Sequence, residues 1–294
     1  MLIARLIAEP ATLSDNCDRA IAALEARGLK ISSAAMLTAG ENVLQFALPG
    51  GDAAILREVL GVHFAPADLL VADHEPLIPR VFVSDMDSTM IGQECIDELA
   101  DFAGIKPQIA AITERAMQGE LDFVSALRER VLLLRGLPEG AIAECLATRI
   151  TPMPGAKVLI ETLKARGCRT VLVTGGFHQF ADPVAEQLGF ERVVANRLEV
   201  VDGQLTGGLL GAITDSSVKR SVLRQEAALL GEHTVSLAAG DGANDIPMLQ
   251  AATYGMAYRA KPAARAAADG WVDRGDLTSV LELLGIARAD WVAE

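Results

Sequence analysis

Positive charge is what this sequence has least of for its size. Its 294 residues carry 26 Lys and Arg against 39 Asp and Glu, a formal net charge of −13 with a pI near 4.8. So acidic a chain repels phosphate backbones and anionic lipid surfaces, which argues against nucleic acid or a membrane as partner. Any phosphorylated substrate would need cations placed locally. Cysteine is sparse too: Cys17, Cys95, Cys145 and Cys168 are scattered without C-x-x-C spacing, so neither a zinc site nor a disulfide framework is expected, and a reducing cytoplasm fits. No apolar run is long enough to span a bilayer, and the segment Met1 to Pro10, broken by Arg5 and Glu9, is too short for a signal peptide. What remains is 51% apolar and 22% charged, enough to bury the core of one large or two modest domains.

The first third reads as a unit of its own. Apolar alternation predicts strands at Leu2 to Ala8, Ile31 to Leu37, Asn42 to Leu48 and Phe64 to Val71, with helices at Ser14 to Ala26 and Asp52 to Leu60. That β-α-β-β-α-β order predicts a ferredoxin-like α+β domain over residues 1–78, and the proline-bearing segment Asp73 to Pro79 reads as a linker. Beyond it, Val81 to Ser84, Arg169 to Val173 and Val235 to Ala239 are apolar runs that each lead into a polar loop and then a helical stretch. Strands alternating with helices predict an α/β, doubly wound parallel sheet over residues 79–294, with ligands bound beyond the carboxyl ends of the strands. Residues 96–147 are helical in pattern and too long for a simple crossover, so they read as an inserted cap. Asp202-Gly203 is a hairpin signal.

Three loops carry the chemistry. Asp85 and Asp87 follow the first buried strand, and by themselves read more readily as a solvated acidic turn than as a metal or acid–base pair. A calcium loop is excluded, because Met90 and Ile96 stand where an EF-hand needs Gly and Glu. Thr174-Gly175-Gly176-Phe177 places a hydroxyl beside glycines before a helix, either a plain turn or an anion site. Gly240-Asp241-Gly242-Ala243-Asn244-Asp245 clusters two acids and an amide, and N-capping explains only one of them. In the cap, Phe123, Leu127 and Arg130 fall at i, i+4 and i+7, which places them on one helical face. His178 reads as a partly exposed helix-start residue.

Together these segments resemble the haloacid dehalogenase superfamily of aspartate-nucleophile phosphatases, in the order D-x-D-x-[TV], a strand-end Ser or Thr, a Lys, and G-D-x-x-x-D. Lys219 is the matching lysine, which alone would read as a solvated helix lysine. Finer matches resemble the branch that hydrolyses O-phosphoserine: Glu94 after the first motif, Ala116-Met117-Gln118-Gly119 to Phe123, and Leu127 to Val131. One departure is Thr174, where that branch more often has Ser; the hydroxyl is kept.

The resemblance implies that Asp85 attacks phosphorus to give an aspartyl-phosphate, while Asp87 protonates the seryl oxygen and later deprotonates the incoming water. It implies Mg²⁺ held by the carboxylates of Asp85 and Asp241 and the backbone carbonyl of Asp87, with Lys219, Thr174 and the Gly175 N–H neutralising the phosphoryl group. Asp245 would orient Lys219 or a water on the metal, and Asn244 would fix the loop at the substrate. Arg130 would pair with the substrate carboxylate beside Phe123, and Glu94 would hold its ammonium or serve only as a helix-start acid. The product would be serine, in the last step of its biosynthesis. Bacterial relatives often carry an ACT-like amino-terminal domain, here a site where serine could bind; a homodimer stays an open option. Transfer of phosphate to another alcohol, action on another phosphomonoester, and an amino-acid sensor with vestigial catalysis are the alternatives.

Overall fold

The computed structural model describes residues 1–37, 42–117 and 120–293. The amino-terminal elements are β1 (Leu2–Ile7), α1 (Leu13–Ala26), β2 (Ser33–Met36), β3 (Leu44–Leu48), α2 (Ala53–Phe64) and β4 (Asp68–Ala72). Strand β1 lies antiparallel between β3 and β4, with β2 outside β3. Leu24 of α1 and Leu56, Leu60 and Phe64 of α2 bury their side chains with Leu2, Ala4 and Leu6 of β1. Helix α2 starts at Asp52, whose carboxylate accepts the Ala54 N–H at 2.7 Å. It continues one turn past the expected end at Leu60 and stops at Phe64, because Pro66 drives Ala65 to an extended ψ of 138°.

The rest of the chain runs β5 (Val81–Ser84), then α3 (Cys95–Phe102), α4 (Lys106–Met117), α5 (Phe123–Leu133) and α6 (Gly140–Arg149), which occupy the segment read as a cap. Gln118 and Gly119 of the motif before Phe123 lie outside the described residues. There follow α7 (Ala156–Ala165), β6 (Arg169–Phe177), α8 (His178–Leu188), β7 (Arg192–Val201), β8 (Gln204–Leu210), α9 (Ser216–Leu230), β9 (Ser236–Gly240), α10 (Ile246–Leu249), β10 (Tyr254–Tyr258), α11 (Pro262–Ala267), β11 (Gly270–Val272) and α12 (Ser279–Leu283). Strands β11, β10, β9, β5, β6 and β7 pair in parallel in that order. Alternate residues feed two cores: Phe82, Leu172 and Leu237 on one face, Val83, Val171, Val173 and Ala238 on the other. A strand buried on both faces reads as an unbroken apolar run, which is why β5, β6 and β9 stand out in the sequence.

Because β5 lies between β9 and β6, their carboxyl ends are neighbours and bring the three polar loops together. The β7–β8 hairpin turns on Asp202 and Gly203, with φ of 51° and 73°, the two positive values a type I′ turn needs. The amino-terminal sheet is not a separate layer. Strand β4 pairs antiparallel with β11, Leu70 opposite Gly270 and Leu69 opposite Trp271, so eleven strands of the described residues form one continuous sheet. Where the sequence suggested a linker with few crossing contacts, the Tyr254 hydroxyl accepts the Leu77 N–H at 2.9 Å. No helix of the described residues is long and apolar enough to cross a membrane.

Candidate active site

Asp85 leaves β5 with its N–H donating to the Ala239 carbonyl of β9 at 3.0 Å, so the strand end itself holds the loop. One Asp85 oxygen accepts the Met86 N–H at 2.7 Å, and the other lies 2.7 Å from Lys219 Nζ. Lys219 rises from the second turn of α9, whose start is fixed by Asp215 accepting the N–H groups of Ser217 and Val218. It is 1% exposed, not solvated, because its ammonium also lies 2.7 Å from Asp245 Oδ1. The second Asp245 oxygen accepts the N–H groups of Asp241 and Gly242 at 3.1 and 3.0 Å. Both oxygens of Asp245 are thus engaged, and it acts as a buttress between the third loop and Lys219. Gly240 makes room for it, since a Cβ there would lie 2.4 Å from Asp245 Cγ.

The second loop differs from the expected form. Strand β6 runs on to Phe177 instead of ending at Val173, and its register against β7 shifts between Val173 and Phe177. Thr174, Gly175 and Gly176 bow out of the ladder as a bulge, which two glycines permit. The Gly176 N–H is spent on Thr174 Oγ at 3.0 Å, so that hydroxyl accepts locally and keeps its own proton for a ligand. Gly175 lets the cap approach, since a Cβ there would meet Phe123 Cζ at 3.2 Å.

A cleft of about 600 Å³, counting its open mouth, is lined by Asp85, Asp87, Glu94, Phe123, Arg130, Thr174, Gly175, Asp241 and Asn244, with Lys219 and Asp245 directly behind. Every site residue expected from the sequence therefore gathers at one place. Glu94 stands at the N-cap of α3 without capping it, and instead accepts the Ser88 hydroxyl at 2.7 Å. His178 opens α8 and pairs with Asp182 at 2.8 Å, away from the cleft lining.

Charge in the site is unbalanced. Burial and the Asp245 carboxylate push Asp85 well above the usual carboxylate range against the opposing pull of Lys219. Burial and Glu94 raise Asp87 to about 7, and the Cys95 thiol and N–H, which bond its carboxylate, hold it lower than it would otherwise be. Burial also lifts Asp241. Lys219 stays protonated: burial works against its charge, but Asp85 and Asp245 outweigh it and raise its pKa. Burial lowers Arg130, with Asp97 and Glu94 opposing.

Carboxylate oxygens of Asp85, Asp241 and Asp245 lie within 4.8 Å of one another, and with both Asp245 oxygens engaged, those of Asp85 and Asp241 are the ones placed to hold a metal ion. An all-oxygen, acid-rich donor set suits a hard divalent cation, and the uncompensated acids fit one.

Two residues that sequence reasoning did not single out belong to this architecture. Asn196 of β7, 2% exposed, donates to the Gly175 carbonyl at 2.8 Å and accepts the Thr214 N–H at 2.8 Å. It ties the bulge to the segment leading into α9, and its only trace in the sequence is an amide after the apolar run Val193-Val194-Ala195. Lys261 lines the cleft with Nζ 3.7 Å from Asp241, yet before Pro262 it reads merely as the start of a helix.

The family model for haloacid dehalogenase-like hydrolases matches residues 82–250. The phosphoserine phosphatase of Streptococcus thermophilus is 45% identical over 208 residues, covering 70% of this chain and 96% of the relative. That of Mycobacterium tuberculosis is 46% identical over 214 residues, 72% of this chain, which spans about half (52%) of the relative's length. A crystal structure of a probable phosphoserine phosphatase from Vibrio cholerae, in unliganded form, aligns with a TM-score of 0.75 at 30% identity over 98% of this chain and 88% of that one. The matched segment contains Asp85, Thr174 and Asp241 at the ends of neighbouring strands, with Lys219 from α9 and Asp245 from the loop after β9 beside them, and the chain belongs to the haloacid dehalogenase-like hydrolase family.

Proposed function

We propose that the chain is a phosphoserine phosphatase that hydrolyses O-phosphoserine to serine and inorganic phosphate by two displacements at phosphorus, through Asp85, closing serine biosynthesis in the cytoplasm. The observation that carries this reading is one cleft with two kinds of wall. Its floor joins Asp85, Asp87 and Thr174 with Lys219 behind them, and its cap side offers the opposite charges of Arg130 and Glu94. A zwitterionic amino acid bearing a phosphate matches both.

In the first step an Asp85 carboxylate oxygen bonds to phosphorus as the bond from phosphorus to the seryl oxygen breaks. Asp87, raised to about 7 by burial and Glu94, is protonated in about half of the molecules at neutral pH and gives that proton to the seryl oxygen, so serine leaves as the alcohol. In the second step water attacks the phosphorus of the aspartyl-phosphate, its proton passes to the Asp87 carboxylate, and the bond to Asp85 breaks. Lys219 is a fixed positive charge beside the transferred group, and the Thr174 hydroxyl, with its proton free, donates to a phosphoryl oxygen. Asn244 faces the substrate from the third loop. The carboxylates of Asp85 and Asp241 and the carbonyl of Asp87 would hold Mg²⁺, which when bound supplies the positive charge that offsets repulsion between carboxylate and phosphate. Arg130 would take the substrate carboxylate and Glu94 its ammonium.

A comparison of phosphoserine with phosphoethanolamine, which lacks the carboxylate, tests the reading. Arg130→Ala should raise KM for phosphoserine about thirtyfold, the order of one charge-assisted pair, and that for phosphoethanolamine less than about threefold. Equal effects on both esters would remove Arg130 from recognition and phosphoserine from its place as the preferred substrate. To residues 1–78 we assign an ACT-like unit that binds serine, a reading supported by its β-α-β-β-α-β order. Calorimetric titration of the whole chain with serine, in the presence of an inhibitor filling the cleft, checks it; no heat would refute it.

A further inference from the structure

For a site that must admit a phosphate dianion, the side chains of the cleft offer little positive charge beyond what Mg²⁺ held by Asp85 and Asp241 would supply. Its lining carries four carboxylates, Asp85, Asp87, Glu94 and Asp241, against two cations, Arg130 and Lys261. Lys219 does not redress this at the mouth: it is 1% exposed, and Asp85 and Asp245 already share its ammonium at 2.7 Å. Arg130 stands on the cap side, where the proposed reading commits it to the substrate carboxylate.

Lys261 is different in kind. Its side chain is 72% exposed while its Nζ lies 3.7 Å from Asp241 Oδ2, so it reaches from solvent to the carboxylate at the phosphate end of the cleft. Its root is fixed, because the Lys261 N–H donates to the Asp241 carbonyl at 2.8 Å and Pro262 opens α11 immediately after it. A tethered stem whose ammonium is solvated and only loosely paired with Asp241 can follow an anion across the rim. The carboxylate of this pair is only 11% exposed, but an ammonium that stays in water at 3.7 Å adds little to stability, so stability does not account for the placement.

We propose that Lys261 is the rim cation that draws the phosphoryl group into the cleft and holds it on the Asp241 side, both as the ester arrives and as inorganic phosphate departs. The inference rests on the phosphatase reading above. Its content is charge at the mouth, so its effect falls on capture more than on the bond-breaking steps. It acts on every phosphomonoester alike, unlike Arg130. Salt weakens it, since exposed charges are screened over about 10 Å at 0.1 M ionic strength.

The experiment compares wild type, Lys261→Gln, Lys261→Arg and Lys30→Gln at saturating Mg²⁺. Lys30→Gln makes the same change in net charge outside the cleft lining. At about 20 mM salt, Lys261→Gln should lower kcat/KM about tenfold for phosphoserine and phosphoethanolamine alike, with kcat moved less than about threefold. The deficit should shrink to about twofold at 0.5 M salt, Lys261→Arg should restore most of it, and Lys30→Gln should stay within about twofold of wild type. Titration with inorganic phosphate, followed by calorimetry, should show about tenfold weaker binding to Lys261→Gln at low salt. An unchanged kcat/KM and phosphate affinity would overturn the inference, as would a loss independent of salt, one confined to kcat, or one matched by Lys30→Gln. Should wild type release phosphate from neither ester, the phosphatase reading falls, and the phosphate titration still decides the role of Lys261.

Discussion

A lysine that is 1% exposed, with two carboxylates at 2.7 Å, cannot be placed by a helical pattern; it is placed by what surrounds it. In sequence Lys219 is one polar residue of α9, and only its order after Thr174 and before Asp241 marked it. Residues inside short motifs, Asp85, Asp87, Asp241 and Asp245, were legible because motif and loop coincide. Asn196 was not, because its partners are backbone groups of Gly175 and Thr214, 21 and 18 residues away. Its burial makes it testable. Asn196→Ala strands a buried N–H and a half-buried carbonyl, and should destabilise the fold by about 2 kcal/mol in urea denaturation. It should also lower kcat by more than it raises KM, since the displaced bulge carries Thr174. A variant as stable and active as wild type would show that the two hydrogen bonds hold nothing.

At the level of elements, the sheet was readable from its apolar runs, whereas the ends of elements followed local chemistry. Helix α2 overran its expected end and stopped only at Phe64, two residues before Pro66, and β6 continued through a glycine bulge that reads as a loop. The orientation of α9, which aims Lys219, depends on a contact that no local pattern shows. Glu226 of α9 is buried and bonded to Arg169 of β6 and Arg192 of β7, so one carboxylate locks the helix across two strands. The two arginines hold Glu226 below its ordinary value of 4.5 despite the cost of burial. A carboxyl whose pKa is depressed on folding stabilises the native state above its unfolded value, and loses that contribution as pH falls through the folded one. Glu226→Gln should therefore cost about 1–2 kcal/mol at pH 7, reduced from the figure for a fully buried pair because both arginines are partly exposed. The gap from wild type should stay constant down to about pH 5 and close below about pH 4.5. A gap that persists unchanged at pH 3 would show that packing, not the ion pairs, sets the loss.

Across the whole molecule, the amino-terminal unit and the hydrolase share a sheet through β4 and β11. Asp68 strengthens the junction by accepting the N–H groups of Asp273, Arg274 and Gly275. The sequence showed the order of elements on each side but not this join, because a three-residue strand, Gly270–Val272, is too short to carry a pattern. A shared sheet couples the two parts, so calorimetric melting of the intact chain should give one cooperative transition; two resolved transitions would show that the junction transmits nothing. The same sheet sets the ends of β5, β6 and β9 side by side, and the central claim is that this arrangement makes Asp85 a nucleophile. The most direct test mixes the Mg²⁺-loaded protein with phosphoserine labelled in its phosphate and quenches it in acid during turnover. The account predicts a covalent label on the peptide containing Asp85, released by hydroxylamine and absent from Asp85→Asn, which should also lose at least about a thousandfold in kcat. Phosphate release without any labelled protein, or with the label on another residue, would contradict it.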